Sequence, residues 1–213
     1  PRRDEAGPCL VIPPRTALHA VPPAGGVEGK RVLVHGGAGA VGHYAGQMAR
    51  LLGAARVFAT VSSQAKAQAA REAGAELAID YQREDVATVV REATGGPGVD
   101  RIIEVDIAAN AALDVELLRR GGELVVYGSG AGRFGMDFFP LISKNVCMHF
   151  FIVYHLSEAD RQAAEDQLHV FLAHDQLVHR IAERVPLAEI ARAHELVESG
   201  RVMGNVVVRV GGH

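Results

Sequence analysis

Tryptophan is absent, aromatic residues make up only 5%, and just two cysteines, Cys9 and Cys147, occur in 213 residues. Two thiols cannot build a disulfide framework, and neither C-x-x-C nor H-E-x-x-H is present to hold zinc. Charge of one sign is missing too: 22 Lys+Arg stand against 25 Asp+Glu, a formal charge of −3. Without a basic excess or stacking aromatics, no nucleic-acid surface is expected. The strongest apolar run, residues 146–154, is short and interrupted by His149, so nothing in it spans a bilayer. No signal-peptide pattern, repeat or low-complexity tract is recognisable, and a cytoplasmic protein is expected. The start at Pro1 rather than Met points to trimming or a fragment. What remains is 48% apolar and 22% charged residues, a globular composition able to bury a core without disulfides or metals.

Six of the nine prolines (Pro1, Pro8, Pro13, Pro14, Pro22, Pro23) lie in the first 30 residues, which leaves room for only a short helix over 16–21. From residue 31 onward, β-branched runs alternate with helical stretches. Strands are predicted over 31–35, 56–61, 77–80, 100–105, 123–127 and 146–153. Helices are predicted over 41–52, 64–73, 84–93 and 109–119. This alternation implies right-handed βαβ crossovers, hence an α/β fold with a doubly wound, six-stranded parallel sheet in the order 3-2-1-4-5-6. Past residue 155 the pattern changes. Ser157 caps a long charged helix, and a second helix over 187–198 stops at Ser199-Gly200. Residues 205–210 read as a strand buried on both faces, with no further βαβ unit in the tail.

Val34-His35-Gly36-Gly37-Ala38-Gly39-Ala40-Val41-Gly42 carries the chemistry. It matches G-x-G-x-x-G through Gly37, Gly39 and Gly42, and it sits between a predicted strand and helix. Glycine lets the backbone approach a pyrophosphate, and the helix N-terminus offers free N–H groups and partial positive charge. A triphosphate loop is disfavoured, because Gly25 to Gly29-Lys30 is one residue short and Arg31 stands where Ser or Thr would bind Mg²⁺. An NAD site places an acid near the end of the second strand. Here that strand runs into Ser62-Ser63-Gln64-Ala65-Lys66, with no acid in reach. Two hydroxyls and an ammonium suit the 2′-phosphate of NADP. The alternative, a serine cap followed by a solvated lysine, is left equally open by the spacing.

The stretch Val32–Gly42 resembles the signature of the medium-chain dehydrogenase/reductase superfamily, and more narrowly the zinc-independent quinone oxidoreductases of the zeta-crystallin type. Cys9-Leu10-Val11-Ile12-Pro13, Ala73-Gly74-Ala75, Thr94-Gly95-Gly96-Pro97-Gly98-Val99-Asp100 and Leu117-Leu118-Arg119-Arg120-Gly121-Gly122 extend it over almost the whole chain. The resemblance implies NADP as cofactor, with Gly39, Ala40, Val41 and Gly42 facing the pyrophosphate. Ser62, Lys66, Tyr81 and Arg201 would surround the 2′-phosphate. Tyr127, Gly128, Ser129, Phe151 and Ile152 would line the nicotinamide, with Thr16 on its other side. The strand at 146–153, sixth and therefore at the sheet edge, is apolar and uncharged, so a dimer through it is expected, and the resemblance agrees.

Two departures stand out. Val11 replaces the glycine usual in the entry segment, and the GroES-like catalytic domain that precedes the cofactor domain is missing. Residues 1–21 resemble that domain's trailing edge, 22–155 the NADP-binding domain, and 156–213 the segment that returns to complete the catalytic domain. No metal ligands are expected, since His169, His174 and His179, spaced by five, do not converge on one helix face. Nor is a catalytic acid–base pair expected, because the cofactor carries hydride chemistry. Ser129 lacks the G-x-S-x-G setting of a nucleophile. The expected activity is hydride transfer from NADPH to a quinone or conjugated carbonyl. The alternatives are an NADPH-dependent enoyl reductase or a non-catalytic NADPH-binding protein.

Overall fold

Short central strands buried on both faces organise the chain, seen in a computed structural model describing Cys9, residues 11–22 and residues 25–210. Pro1, Pro8, Leu10 and Pro23 lie outside the described residues. Strands β1 (Arg31–Val34), β2 (Arg56–Val61), β3 (Leu77–Asp80), β4 (Val99–Glu104), β5 (Leu118–Val126) and β6 (Cys147–Phe150) form one sheet. Every pairing is parallel and the order is β3-β2-β1-β4-β5-β6, as the alternation predicted. The helices between them are α2 (Ala40–Leu51), α3 (Gln64–Glu72), α4 (Val86–Thr94), α5 (Ile107–Leu117) and α6 (Phe138–Lys144). Helix α1 (Ile12–Ala20) precedes the sheet, and α7 (Glu158–Ala173), β7 (Ile181–Pro186), α8 (Ile190–Glu198) and β8 (Asn205–Arg209) follow it.

Alternate residues of β1 explain the layering. Val32 and Val34 pack with Tyr44 and Met48 of α2, with Ala17 and Leu18 of α1, and with Leu168 and Phe171 of α7. Leu33, between them, packs on the opposite face with Val90 of α4 and Ile107 of α5. Each fully buried Val or Leu contributes about 1.5–3 kcal/mol, so a strand covered twice is fixed in register by its own side chains. Below the sheet, fully buried Arg101 bonds Glu123 and the Val21 carbonyl, tying the end of α1 to β4 and β5. No helix among the described residues is long and apolar enough to cross a membrane.

Several predicted boundaries are corrected. Helix α1 begins at Ile12, not at residue 16, because Pro13 and Pro14 occupy its first turn, where no N–H is needed. Strand β5 begins at Leu118 rather than residue 123. The helix expected to run to residue 119 ends at Leu117, and the Arg119-Arg120-Gly121-Gly122 stretch lies in the strand, with Gly121 at φ 70° and Arg119 paired to Asp100. Strand β6 keeps only Cys147–Phe150 of the expected 146–153, since residues 153–155 turn into a 3₁₀ helix. Helix α6 was not anticipated. Its Lys144 Nζ donates to the Val115, Glu116 and Leu118 carbonyls at 2.6, 2.9 and 2.7 Å, capping the end of α5. The tail does contain a further βαβ unit: β7 and β8 pair in parallel around α8. Charges at Glu183 and Arg184 hid β7 from the pattern, and in β8 only Val207 is buried.

Candidate cofactor site

Strand β1 ends against the glycine turn, at the point where the sheet order reverses between β1 and β4. Gly36 takes φ 66°, a left-handed conformation that favours glycine, and Gly39 N–H donates back to its carbonyl at 2.8 Å. Gly37 N–H donates to the Thr60 carbonyl of β2 at 3.0 Å, which anchors the turn to its neighbour strand. Helix α2 then starts at Ala40, with Gly39 as its N-cap and no side chain capping its first turn. Residues Gly39, Ala40, Val41 and Gly42 line a cleft of about 520 Å³. Its first-turn N–H groups and dipole end are suited to an anion.

The far end of the cleft belongs to β2 and α3. Lys66 Nζ donates to Ser62 Oγ at 3.0 Å and to the Gly200 carbonyl at 2.7 Å. Ser62, Lys66 and Tyr81 all line the cleft, and among the described residues no Asp or Glu does. Ser63 has the other role that its spacing allowed: its Oγ accepts the Lys66 backbone N–H at 3.3 Å, as the N-cap of α3. The strip from Val197 to Val206 closes over the cleft, with Gly204 N–H donating to the Ala38 carbonyl at 3.2 Å. Sequence reasoning missed this strip, apart from Arg201, whose neighbours Gly200 and Val202 line the cleft while its own side chain is exposed.

Tyr127, following β5, completes the lining, and burial keeps its phenol protonated. The other expected residues stand apart from this cleft. Gly37 packs against Ala59, where an added Cβ would come within 2.5 Å of the Ala59 methyl. Thr16 spends its hydroxyl on the Ile12 carbonyl at 2.9 Å inside α1. Gly128 is pressed against the Val105 carbonyl, and Ser129 Oγ closes a local turn onto Ala131. Phe151 packs edge-on to His19 at 4.6 Å and near Tyr127 at 6.5 Å, and Ile152 is half exposed.

A polar cluster behind the glycine turn was not foreseen. His35 Nε2 lies 2.8 Å from Asp114 Oδ1 and 3.5 Å from Glu104 Oε2, while its Nδ1 lies 2.9 Å from Thr60 Oγ1. Burial disfavours the charged imidazole and holds His35 below its usual range, against the pull of Glu104. Burial likewise pushes Glu104 up to about 7, against the pull of His35 and with Asp114 adding to the rise. Asp114 is pushed up to about 7 by burial, partly offset by the facing Glu104 carboxyl. The available signal was a histidine and a glutamate each directly following aliphatic residues at a strand end, Val32-Leu33-Val34 and Ile102-Ile103.

Residues 40–169, more than half of the chain, match the family described as zinc-binding dehydrogenase. The 2-haloacrylate reductase of a Burkholderia species is 31% identical over 191 residues, covering 84% of this chain and 55% of that protein. Quinone oxidoreductase 1 of Escherichia coli K12 is 31% identical over 183 residues, covering 83% and 55%. The crystal structure of Escherichia coli quinone oxidoreductase complexed with NADPH superposes with TM-score 0.85 at 26% identity, covering 95% of this chain and 64% of that one. The chain therefore spans about half the length of the curated relatives it matches. With its reversed parallel sheet, glycine turn and matched core, the chain belongs to the zinc-binding dehydrogenase family, within the medium-chain dehydrogenases/reductases that its sequence resembles.

Proposed function

We propose that this chain is the NADPH-binding part of a cytoplasmic oxidoreductase that passes hydride from nicotinamide to a quinone or a similar conjugated carbonyl. The cleft carries the reading: Lys66 and Ser62 stand at one end, the helix N-terminus in the middle, and no carboxylate lies among its described lining residues. A lysine–serine pair favours a 2′-phosphate, whereas an NAD ribose calls for an acid. When bound, the cofactor supplies the hydride. The chain's own part is to hold the phosphates, to place the ring beside Tyr127 and to exclude water. The relative named 2-haloacrylate reductase favours, as a second reading, reduction of an activated C=C bond in the same cleft. A third reading is a chain that binds NADPH without turning it over. Fluorescence titration with NADPH and NADH tests the cofactor, with at least ten-fold tighter NADPH binding expected; equal affinities would refute it. Steady-state reduction of a benzoquinone and of an acrylate then separates the three readings. Residues 22–155 would form the cofactor domain, with 1–21 and 156–213 belonging to a substrate domain.

The proposal includes no zinc. His35, Glu104 and Asp114 are the only described group spaced to hold a metal. Two ligands of one tetrahedral zinc, each about 2.1 Å from it, stand roughly 3.4 Å apart. His35 Nε2 and Asp114 Oδ1 are 2.8 Å apart, the separation of a hydrogen bond. The residues present do not fit the ion that the family description names.

A homodimer through β6 belongs to the same proposal. β6 is the edge of the sheet, and its Phe150 is exposed and stacks on Phe134 at 5.9 Å. Phe138, Phe139 and Ile142 of α6, the helix that precedes β6 in the chain, are exposed. An open apolar edge with unpaired backbone groups recruits another strand, and a twofold copy satisfies it symmetrically. Light scattering should give a dimer that Phe150→Pro converts to monomer. A monodisperse monomer of the unmodified chain at high concentration would refute this interface.

A further inference from the structure

Behind the glycine turn, His35 from the end of β1, Glu104 from the end of β4 and Asp114 from α5 meet out of contact with solvent, each 3% exposed or less. Glu104 Oε2 and Asp114 Oδ2 have no hydrogen-bond partner. Two buried carboxylates with orphaned oxygens are expensive if both are ionised, and one proton between them removes a charge and supplies the missing donor. The groups facing the pair come from every adjoining element. From β2, Thr60 bonds His35 Nδ1. From the start of α5, the Asp106 N–H donates to Glu104 Oε1, and Asn110 Nδ2 donates to the same oxygen at 3.1 Å. Beyond β5, Tyr127 feels the Glu104 charge.

This cluster is wired to the turn. Thr60 Oγ1, held by His35, also accepts the Gly36 N–H at 3.3 Å. A negative charge appearing on the carboxyl pair would therefore lie behind the backbone that is to receive the pyrophosphate, in a dry region where charges act strongly. We propose that Glu104 and Asp114 share one proton beneath the glycine turn, and that seating the anionic dinucleotide tightens the hold on that proton, so that cofactor binding and proton uptake are linked. The proposal rests on the NADPH reading of the cleft. Linkage is reciprocal, so NADPH affinity falls as pH rises through neutrality and the proton is lost. His35, Glu104 and Asp114 are positioning residues here.

Isothermal titration of the full chain with NADPH from pH 6 to 9, in two buffers of different ionisation enthalpy, counts the protons. The 2′-phosphate itself titrates near about 6, so the decisive measurements are at pH 7.5 to 8. There the unmodified chain should take up a fraction of a proton per NADPH, and its Kd should rise roughly ten-fold between pH 6 and 9, the effect of a one-unit shift. Asp114→Asn and Glu104→Gln, which keep an acceptor for His35 and for Asp106, should abolish the uptake and flatten the profile. If either variant fails to fold, the unmodified chain still decides. Binding without uptake at pH 7.5 to 8, or uptake that persists in a folded Asp114→Asn or Glu104→Gln, overturns the linkage alone. Failure of NADPH to bind at any pH overturns the cofactor reading together with it.

Discussion

Replacing Lys66 by alanine should weaken NADPH binding roughly 10- to 150-fold, the consequence of losing a charge-assisted hydrogen bond worth about 1.5–3 kcal/mol. NADH should change far less. An ammonium has three donors, of which the Ser62 hydroxyl and the Gly200 carbonyl take two, leaving one to meet a phosphate. The same lysine also latches the 197–206 strip over the cleft, and losing that latch affects both cofactors alike. The ratio of the two losses is therefore the diagnostic quantity. Paired fluorescence titrations of NADPH and NADH on the unmodified and Lys66→Ala chains measure it. Equal losses would leave Lys66 only its latching role, and Ser62→Ala, which leaves the Gly200 bond intact, should show a smaller but equally selective effect.

The sheet was legible because its strands are short aliphatic runs punctuated by glycine, and burial on both faces leaves such runs no other stable arrangement. The glycine turn was legible for the same reason, since strand, turn and helix are contiguous in sequence. Contacts between distant segments were not. Nothing local marks Gly200 as the partner of Lys66 or Gly204 as the donor to Ala38; both depend on where the β7–α8–β8 unit docks. The His35–Glu104–Asp114 cluster draws on residues up to 79 positions apart. Ser63 and Thr16 show the opposite limit. Ser63 was offered by its spacing and Thr16 by the resemblance, and each satisfies its own helix instead, because a nearby backbone group is always available to a short side chain.

The glycine turn should tolerate a methyl group at one position and not at another, three residues away. A Cβ on Gly42 would lie 2.2 Å from the Gly36 carbonyl oxygen and 3.0 Å from the Gly37 Cα, so it meets backbone on the side where α2 rests on the turn. Neither partner can swing aside as a flexible side chain would. In Gly42→Ala the helix must therefore retreat from the turn. Overpacking of this kind costs about 1–3 kcal/mol, which for a chain of this size lowers Tm by roughly 3–10 °C. Retreat also carries the first-turn N–H groups away from the phosphates, and each charge-assisted hydrogen bond lost there costs about 1.5–3 kcal/mol, roughly 10- to 150-fold in affinity. Unlike the Lys66 substitution, this one should weaken NADPH and NADH equally, because both present the same pyrophosphate. Gly39→Ala is the control. Its Cβ would stand 3.2 Å from the same carbonyl, with φ at −73°, so a shift of a few tenths of an ångström suffices and binding should fall only a few-fold. Thermal melts with paired cofactor titrations on both variants test the ordering. A Gly42→Ala chain that keeps its Tm and its NADPH affinity would mean that α2 does not rest on the turn as closely as these distances require.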